Sequence, residues 1–430
     1  MRKYIQILLL CLTLTPLVFS EIFLYPFVDG KMFFVRIIAC IISILFAWLV
    51  ISDIKERENI VQSFQKMFRD PIFIMFSVGI VLLGVSTVFA FNPRVAFLGE
   101  MQRGEGFMTL SSLYCIYVAM RLFFEKKQWN TFFVISGIVS LCMFFSELFQ
   151  SLSGTDRPSA TMGNPVFLAN YFVFSIFVGY FLIRLTRILR KDWYAFLGYS
   201  VLFSSIVGIL ITKTRGVLLG ILVGFIVCLL HMLFSKYSNG ISGLQKKISA
   251  GVLILIVVFG IFVFFTRHNS RWSTIPVMNR ITNISSTDST TVARLMFTKT
   301  AIQSFASDHQ PVRMLFGWGW DNYIFFTGTH YNPKVFFYDT AVVDRGHNKL
   351  MDMLIMTGIL GLLAYLILWF FIIQKTLVLI DHDYKPGIIT LFFFLAYFVS
   401  NLSAFDTITT FLTLYVVCAF VESITYEERK

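Results

Sequence analysis

Charge is scarce in this sequence. Asp, Glu, Lys and Arg make up only 14% of its 430 residues, roughly half the share of a soluble domain. That excludes an ordinary soluble enzyme. Cysteine is sparse too, and all six (Cys11, Cys40, Cys115, Cys142, Cys228 and Cys418) lie in apolar runs. A thiol there behaves as a small hydrophobe, so neither a disulfide framework nor a cysteine metal site is expected. Internal repeats and low-complexity tracts are absent as well.

What fills the chain is apolar: 57% hydrophobic and 17% aromatic side chains, 50 of them Phe. Runs long enough to cross a bilayer occur at 4–24, 32–52, 71–91, 107–124, 130–149, 164–183, 193–212, 216–234, 248–265, 348–373, 387–404 and 408–424. They predict an all-α integral membrane protein, a polytopic bundle of about 12 transmembrane helices. The N-terminal Met1-Arg2-Lys3 and its apolar continuation resemble a signal peptide. Glu21 and Tyr25-Pro26 follow in place of a small-residue cleavage site, so this run reads as an uncleaved first helix.

Orientation follows from the asymmetry of Lys and Arg between alternate loops. One set holds Arg2 and Lys3, then Lys55, Arg57, Lys66 and Arg69, then Arg121, Lys126 and Lys127, then Arg184, Arg187, Arg190 and Lys191, and continues through Lys236, Lys246, Lys247, Lys375 and Lys385 to Arg429 and Lys430. The short loops of the other set carry only Lys31, Arg94, Arg103, Arg157, Lys213 and Arg215. Both termini are therefore expected in the cytoplasm. The formal net charge of +12 is then mostly topology and implies no nucleic-acid partner.

Three regions result: helices one to nine in 1–265, a large extracytoplasmic loop at 266–347, and helices ten to twelve with a short tail in 348–430. A loop this long is usually functional or disordered. Its aromatic content, including Trp272, Phe297, Trp318, Trp320, Tyr323 and Phe337, argues for a folded cap. Within it, Ser285 to Thr291 suit a helix N-cap, and Val292, Leu295, Met296 and Ile302 follow at helical spacing. That amphipathic helix is expected to lie in the interface. Arg294, roughly 200° round from Val292, points away from the stripe towards whatever the cap encloses.

Two features suggest chemistry. Thr212-Lys213-Thr214-Arg215-Gly216 is a tight turn with two cations against the positive-inside trend, at the start of a helix with Gly216, Gly220 and Gly224 on one small-residue face. It reads either as snorkelling at a helix end or as an anion site at a helix N-terminus. Asp344-Arg345-Gly346-His347-Asn348 ends the cap. A histidine at a membrane border is often structural, yet His347 is also the best-placed general base. His268, His309 and His330 show no metal-ligand spacing, so no metal or other cofactor is expected. Arg103 in Gln102-Arg103-Gly104-Glu105-Gly106 and Arg157 in Asp156-Arg157-Pro158-Ser159 complete the candidate cations.

In this order the features resemble the O-antigen ligase and O-antigen polymerase superfamily of bacterial membrane glycosyltransferases. The resemblance spans about residues 90–375. It rests on Arg157-Pro158 with Gly163-Asn164-Pro165, Thr214-Arg215-Gly216, Val292-Ala293-Arg294-Leu295, Leu315-Phe316-Gly317-Trp318-Gly319, Asp344-Arg345-Gly346-His347-Asn348 and Thr357-Gly358-Ile359-Leu360-Gly361. It implies a chain in the bacterial cytoplasmic membrane, with its active site outside, that transfers a glycan from undecaprenyl diphosphate to an acceptor hydroxyl on lipid A core, another glycan or a protein. Diphosphate binding is implied for Arg215 and Arg294, joined by Lys213, and acceptor activation for His347. Arg157, Arg103, Arg345 and Asn348 are supporting candidates. An activated donor needs neither ATP nor a metal, and direct displacement would invert the anomeric carbon. Ligase and polymerase members share these features, and a protein oligosaccharyltransferase of the same superfamily is a further alternative. A transporter for a lipid-linked solute is the alternative of a different class. It would call for repeated halves and mid-membrane binding groups, where this sequence has no repeat and only Arg36 deep in a run.

Overall fold

The computed structural model describes residues 1–235, 241–282, 289–328, 331–338 and 343–427. The described residues form helices and connecting loops, with no strand among them. The first eleven helices are α1 (Arg2–Cys11), α2 (Asp29–Ser52), α3 (Ile54–Met67), α4 (Pro71–Val88), α5 (Pro93–Leu98), α6 (Phe107–Phe123), α7 (Lys126–Leu152), α8 (Pro165–Leu189), α9 (Trp193–Thr212), α10 (Arg215–Phe234) and α11 (Gly243–Thr266). The cap contains α12 (Pro276–Thr282), α13 (Ser289–Ser307), α14 (Pro311–Phe316) and α15 (Tyr323–Thr327). The chain closes with α16 (Lys349–His382), α17 (Tyr384–Asn401) and α18 (Ile408–Glu427).

Among the described residues eight helices, α2, α4, α7 to α11 and α16, are long and apolar enough to cross a membrane, and two shorter apolar ones are Phe107–Phe123 and Ile408–Ile424. The first apolar run differs from expectation. Ten residues of α-helix rise only about 15 Å, and the chain then tightens into a 3₁₀ segment, Leu12–Leu17, that contains Pro16. A proline inside a helix removes a hydrogen bond and clashes with the preceding turn, so this run is broken rather than a single span.

Helix starts are written locally. Asp70, Asn92 and Asn164 each accept the backbone N–H of a first-turn residue, and each is followed by proline. Proline is tolerated at that position because its missing N–H would be unsatisfied anyway. The bundle is built round α8, whose buried residues run from Phe167 to Leu185 on several faces. Helix α10 lies against α17 through its glycine face: a Cβ at Gly220 would stand 2.5 Å from the Ala396 carbonyl oxygen, and one at Gly224 3.1 Å from that of Phe392. Small residues allow this backbone approach. By contrast α11 buries only Ser249.

The expected charge asymmetry gathers at one end of the bundle, where the side chain of Arg2 meets Glu125 at 3.1 Å and Glu56 at 3.6 Å, and Arg121 meets Asp70 at 3.2 Å as well as Glu422. The cap packs on the other end. There α16 is broken at Gly358 (φ 70°, ψ −172°), which frees carbonyls of the turn before it. The N–H groups of Trp318 and Gly319 donate to the Ile355 and Met356 carbonyls at 2.9 and 3.1 Å, and Ser86 Oγ donates to Met356 at 2.6 Å. Irregular backbone at membrane depth requires this satisfaction from neighbouring protein. The two glycine motifs noted in the sequence are thus one joint, because Gly317 (φ 83°) lies directly on the Met356–Thr357 backbone.

Gly317→Ala is expected to lower the melting temperature of the detergent-solubilised protein by several degrees, since a Cβ meets both a left-handed φ and the facing backbone. Gly79→Ala serves as control, because nothing lies within 4 Å of a Cβ there. Equal melting temperatures for the two variants would show that the joint does not hold the cap.

Candidate active site

The turn after α9 is built as its residues suggest. Lys213 caps α9 in the left-handed region (φ 54°), Thr214 is the N-cap of α10, and Arg215 is the first residue of that helix. Lys213 Nζ donates to Asp156 Oδ1 at 2.6 Å. Because Asp156 is exposed, this pair contributes little to stability. Arg157 reaches across from the α7–α8 loop, its Nε donating to the Thr212 carbonyl at 3.4 Å.

Arg157 reports its surroundings. Burial pushes its guanidinium below the ordinary arginine value, and the nearby charges of Arg280, Arg294 and Arg215 push it the same way, with Asp156 opposing. Three arginines from three other segments therefore stand close enough to Arg157 to disfavour its charge. Arg280, on α12, was not foreseen. Nothing in Pro276-Val277-Met278-Asn279-Arg280 marks it, and only the tertiary fold brings it to the turn.

Helix α13 forms where the amphipathic helix was expected, but its buried face is different. Ala293, Phe297, Thr300, Ala301 and Ser304 are buried, whereas Leu295 and Ile302 are exposed. On a helical wheel the buried face centres roughly 120° from Val292, which leaves Arg294 about 80° away, on its flank. The correction has a simple cause: small residues and Phe297 pack inward, and the larger aliphatic Leu295 and Ile302 do not. Asn283, Ile284, Ser285 to Asp288 and His330 lie outside the described residues.

His347 has the positive φ of 47°, an uncommon conformation for a residue with a Cβ. Its ring stacks on Phe297 (centroids 5.6 Å apart, 26° between planes) and meets Phe405 edge-on at 5.1 Å. Phe297 lies three residues from Arg294, so one surface of α13 carries both the ring against His347 and an arginine of the cluster. Neighbours at that spacing are about 5–6 Å apart at Cβ. The structure thus brings the two sequence features, some 130 residues apart in the chain, to one place.

The remaining candidates hold the loop that carries His347. Arg345 is 1% exposed, its Nη2 contacting Glu105 Oε2 at 3.2 Å and pairing with Asp321. Asp321 also accepts the Glu100 N–H at 2.7 Å. Gly346 N–H donates to Asp352 Oδ1 at 2.7 Å, and Asn348 Oδ1 accepts the Leu350 N–H at 3.0 Å as the cap of α16. Arg103 Nε and Nη2 reach the two oxygens of Asp344 at 2.6 and 3.2 Å. Lys349 pairs with Asp406 at 2.8 Å. Arg345 and Asn348 therefore serve as a clamp and a helix cap, and Asp321, Asp344 and Asp406 are partners that sequence reasoning did not select.

Carboxylates outnumber cations in this layer, and Glu105 registers it. Burial raises its pKa above the ordinary glutamate value, Asp321 adds to the rise, and Arg345 opposes it. A carboxyl held protonated in the folded state contributes stability that is present below the unfolded pKa and is lost as pH rises towards the folded one. Glu105→Gln, which keeps a neutral side chain of the same shape, is expected to flatten that decline in unfolding temperature with pH. An unchanged slope would mean that Glu105 is ionised in the native protein.

Eight helices long and apolar enough to cross a membrane among the described residues make this a multi-pass membrane protein, with an arginine cluster and an imidazole under its cap. More particularly, residues 200–366 match the family model described as O-antigen ligase, in agreement with the resemblance noted in the sequence. The matched residues include Arg215, Arg280, Arg294 and His347, whereas Arg103 and Arg157 lie before them. No curated protein matches the chain.

Proposed function

We propose that this protein is an O-antigen ligase-type glycosyltransferase, moving a glycan from undecaprenyl diphosphate to an acceptor hydroxyl on the outer side of the cytoplasmic membrane. The convergence of Arg157, Arg215, Arg280 and Arg294 next to His347 carries this reading. Concentrating guanidiniums costs free energy through mutual repulsion, which a bound anion of matching charge would offset. Planar, multi-donor guanidinium groups suit a diphosphate.

In this reaction His347 takes the proton of the acceptor hydroxyl as its oxygen attacks the anomeric carbon. The bond from that carbon to the phosphate oxygen breaks, and undecaprenyl diphosphate departs with the electron pair. Arginines around the diphosphate stabilise the charge that grows as the bond breaks, which is where such groups have most effect. Attack opposite the leaving group inverts the anomeric centre. Lys213, already paired with Asp156, stands at the rim and assists capture of the donor. The cap-bearing end of the bundle is the extracytoplasmic one, in keeping with the cluster of Lys and Arg at the other end.

The test is transfer by protein in liposomes, given glycan-bearing lipid diphosphate and acceptor membranes from the source cells. Arg215→Ala, Arg294→Ala and His347→Ala are each expected to lose about 10²–10³-fold in rate while remaining monodisperse, and Arg280→Ala to lose rate with them. Full transfer by the Arg215 and His347 variants would overturn the site. Movement of labelled lipid across the liposome membrane without a new glycosidic bond would instead indicate transport.

A further inference from the structure

Arg103 comes from the loop between α5 and α6, far from His347 in sequence, yet it is connected to it twice. Its guanidinium lies 4.5 Å over the Phe405 ring, the same ring that His347 meets edge-on. Its Nε and Nη2 occupy one oxygen each of Asp344, and Asp344 in turn interacts electrostatically with His347. Both Arg103 and Asp344 are largely buried, so solvent screens their charges weakly.

We propose that Arg103 is a positioning residue that keeps His347 in its neutral, proton-accepting form by holding and neutralising the Asp344 carboxylate. The proposal rests on the reading of His347 as the base. An imidazole must be uncharged to accept a proton, and a bare carboxylate beside it would favour the imidazolium. The two-pronged bond from Arg103 cancels that field and fixes the carboxylate. In agreement, although burial alone would raise the Asp344 pKa, the bond and charge of Arg103 bring it below the ordinary aspartate value.

The other charged groups round His347 are mostly engaged. On its own loop Arg345 is held by Asp321 and Glu105. At the start of α16, Lys349 pairs with Asp406 from the segment that carries Phe405, and Asp352 accepts the Gly346 N–H. On α13, Arg294 belongs to the arginine cluster, whose charge favours the neutral imidazole. Asp344 is thus the carboxylate that stands nearest in sequence to His347, and Arg103 is its counter-ion.

The experiment is the transfer rate against pH, with the liposomes, lipid-diphosphate-linked glycan and acceptor membranes already described. Arg103→Gln exposes the Asp344 charge and is expected to move the acid limb of the profile up by about one pH unit. Asp344→Asn leaves the Arg103 charge uncompensated and is expected to move the limb down. The double variant returns it close to the wild-type position, and Arg103→Lys leaves it nearly in place. A merely structural role predicts lower rates with no opposite movement of the limb. Should Arg103→Gln not fold, Asp344→Asn alone decides: a downward shift supports the proposal, and no shift or an upward one overturns it. A fully active His347→Ala overturns the reading of the base itself, whereas an inactive His347→Ala with unmoved limbs in the other variants overturns only the role of Arg103.

Discussion

A guanidinium almost wholly removed from water is the constraint on which the cap depends. An unpaired charge in a low-dielectric interior costs several kcal/mol or more, so Arg345 can be buried only if the Asp321 carboxylate and a further acceptor are brought to it. Asp321 comes from the aromatic turn of the cap, and Glu105 comes from the loop before α6. Meeting that requirement closes the cap onto the bundle. It leaves the 344–348 loop fixed at nearly every position, with His347 in a backbone conformation that a free loop would seldom hold.

The joint at Gly358 obeys the same kind of rule with backbone groups in place of charge. A broken helix inside a membrane protein must have its freed carbonyls satisfied, and the Gly317-Trp318-Gly319 turn supplies the donors. Charge pairing and backbone satisfaction therefore locate the cap from two directions. Helix α13, packed within the cap and against α16, is then held so that Arg294 and Phe297 link the arginine cluster to His347. The cluster itself works in the opposite sense. Its arginines come together despite repulsion, a local cost of the kind that functional sites carry and structural cores avoid.

Much of this was legible in the residues. Apolar runs marked most of the helices, Asp70, Asn92 and Asn164 with their prolines marked starts, and the glycine face of α10 was visible at four-residue spacing. Arg215 and His347 stood out because each broke an expectation, a cation against the topology and a histidine at a helix border. Failures have equally particular causes. Pro16 turned a long apolar run into a short helix and a 3₁₀ segment. The buried stripe of α13 was misplaced because hydrophobic residues in a membrane protein need not face the protein, so the usual link between apolar and buried fails.

The sequence by itself determined what depends on neighbours along the chain: which segments are apolar enough to cross a membrane, where helices begin, and which end of the bundle is basic. Tertiary structure alone decided which charges meet. Arg103 with Asp344, Arg345 with Glu105 and Arg280 with Arg157 are separated by long stretches of chain and carry no local signature. Electrostatic pairing acts through space between side chains that folding brings together, so no periodicity along the chain records it.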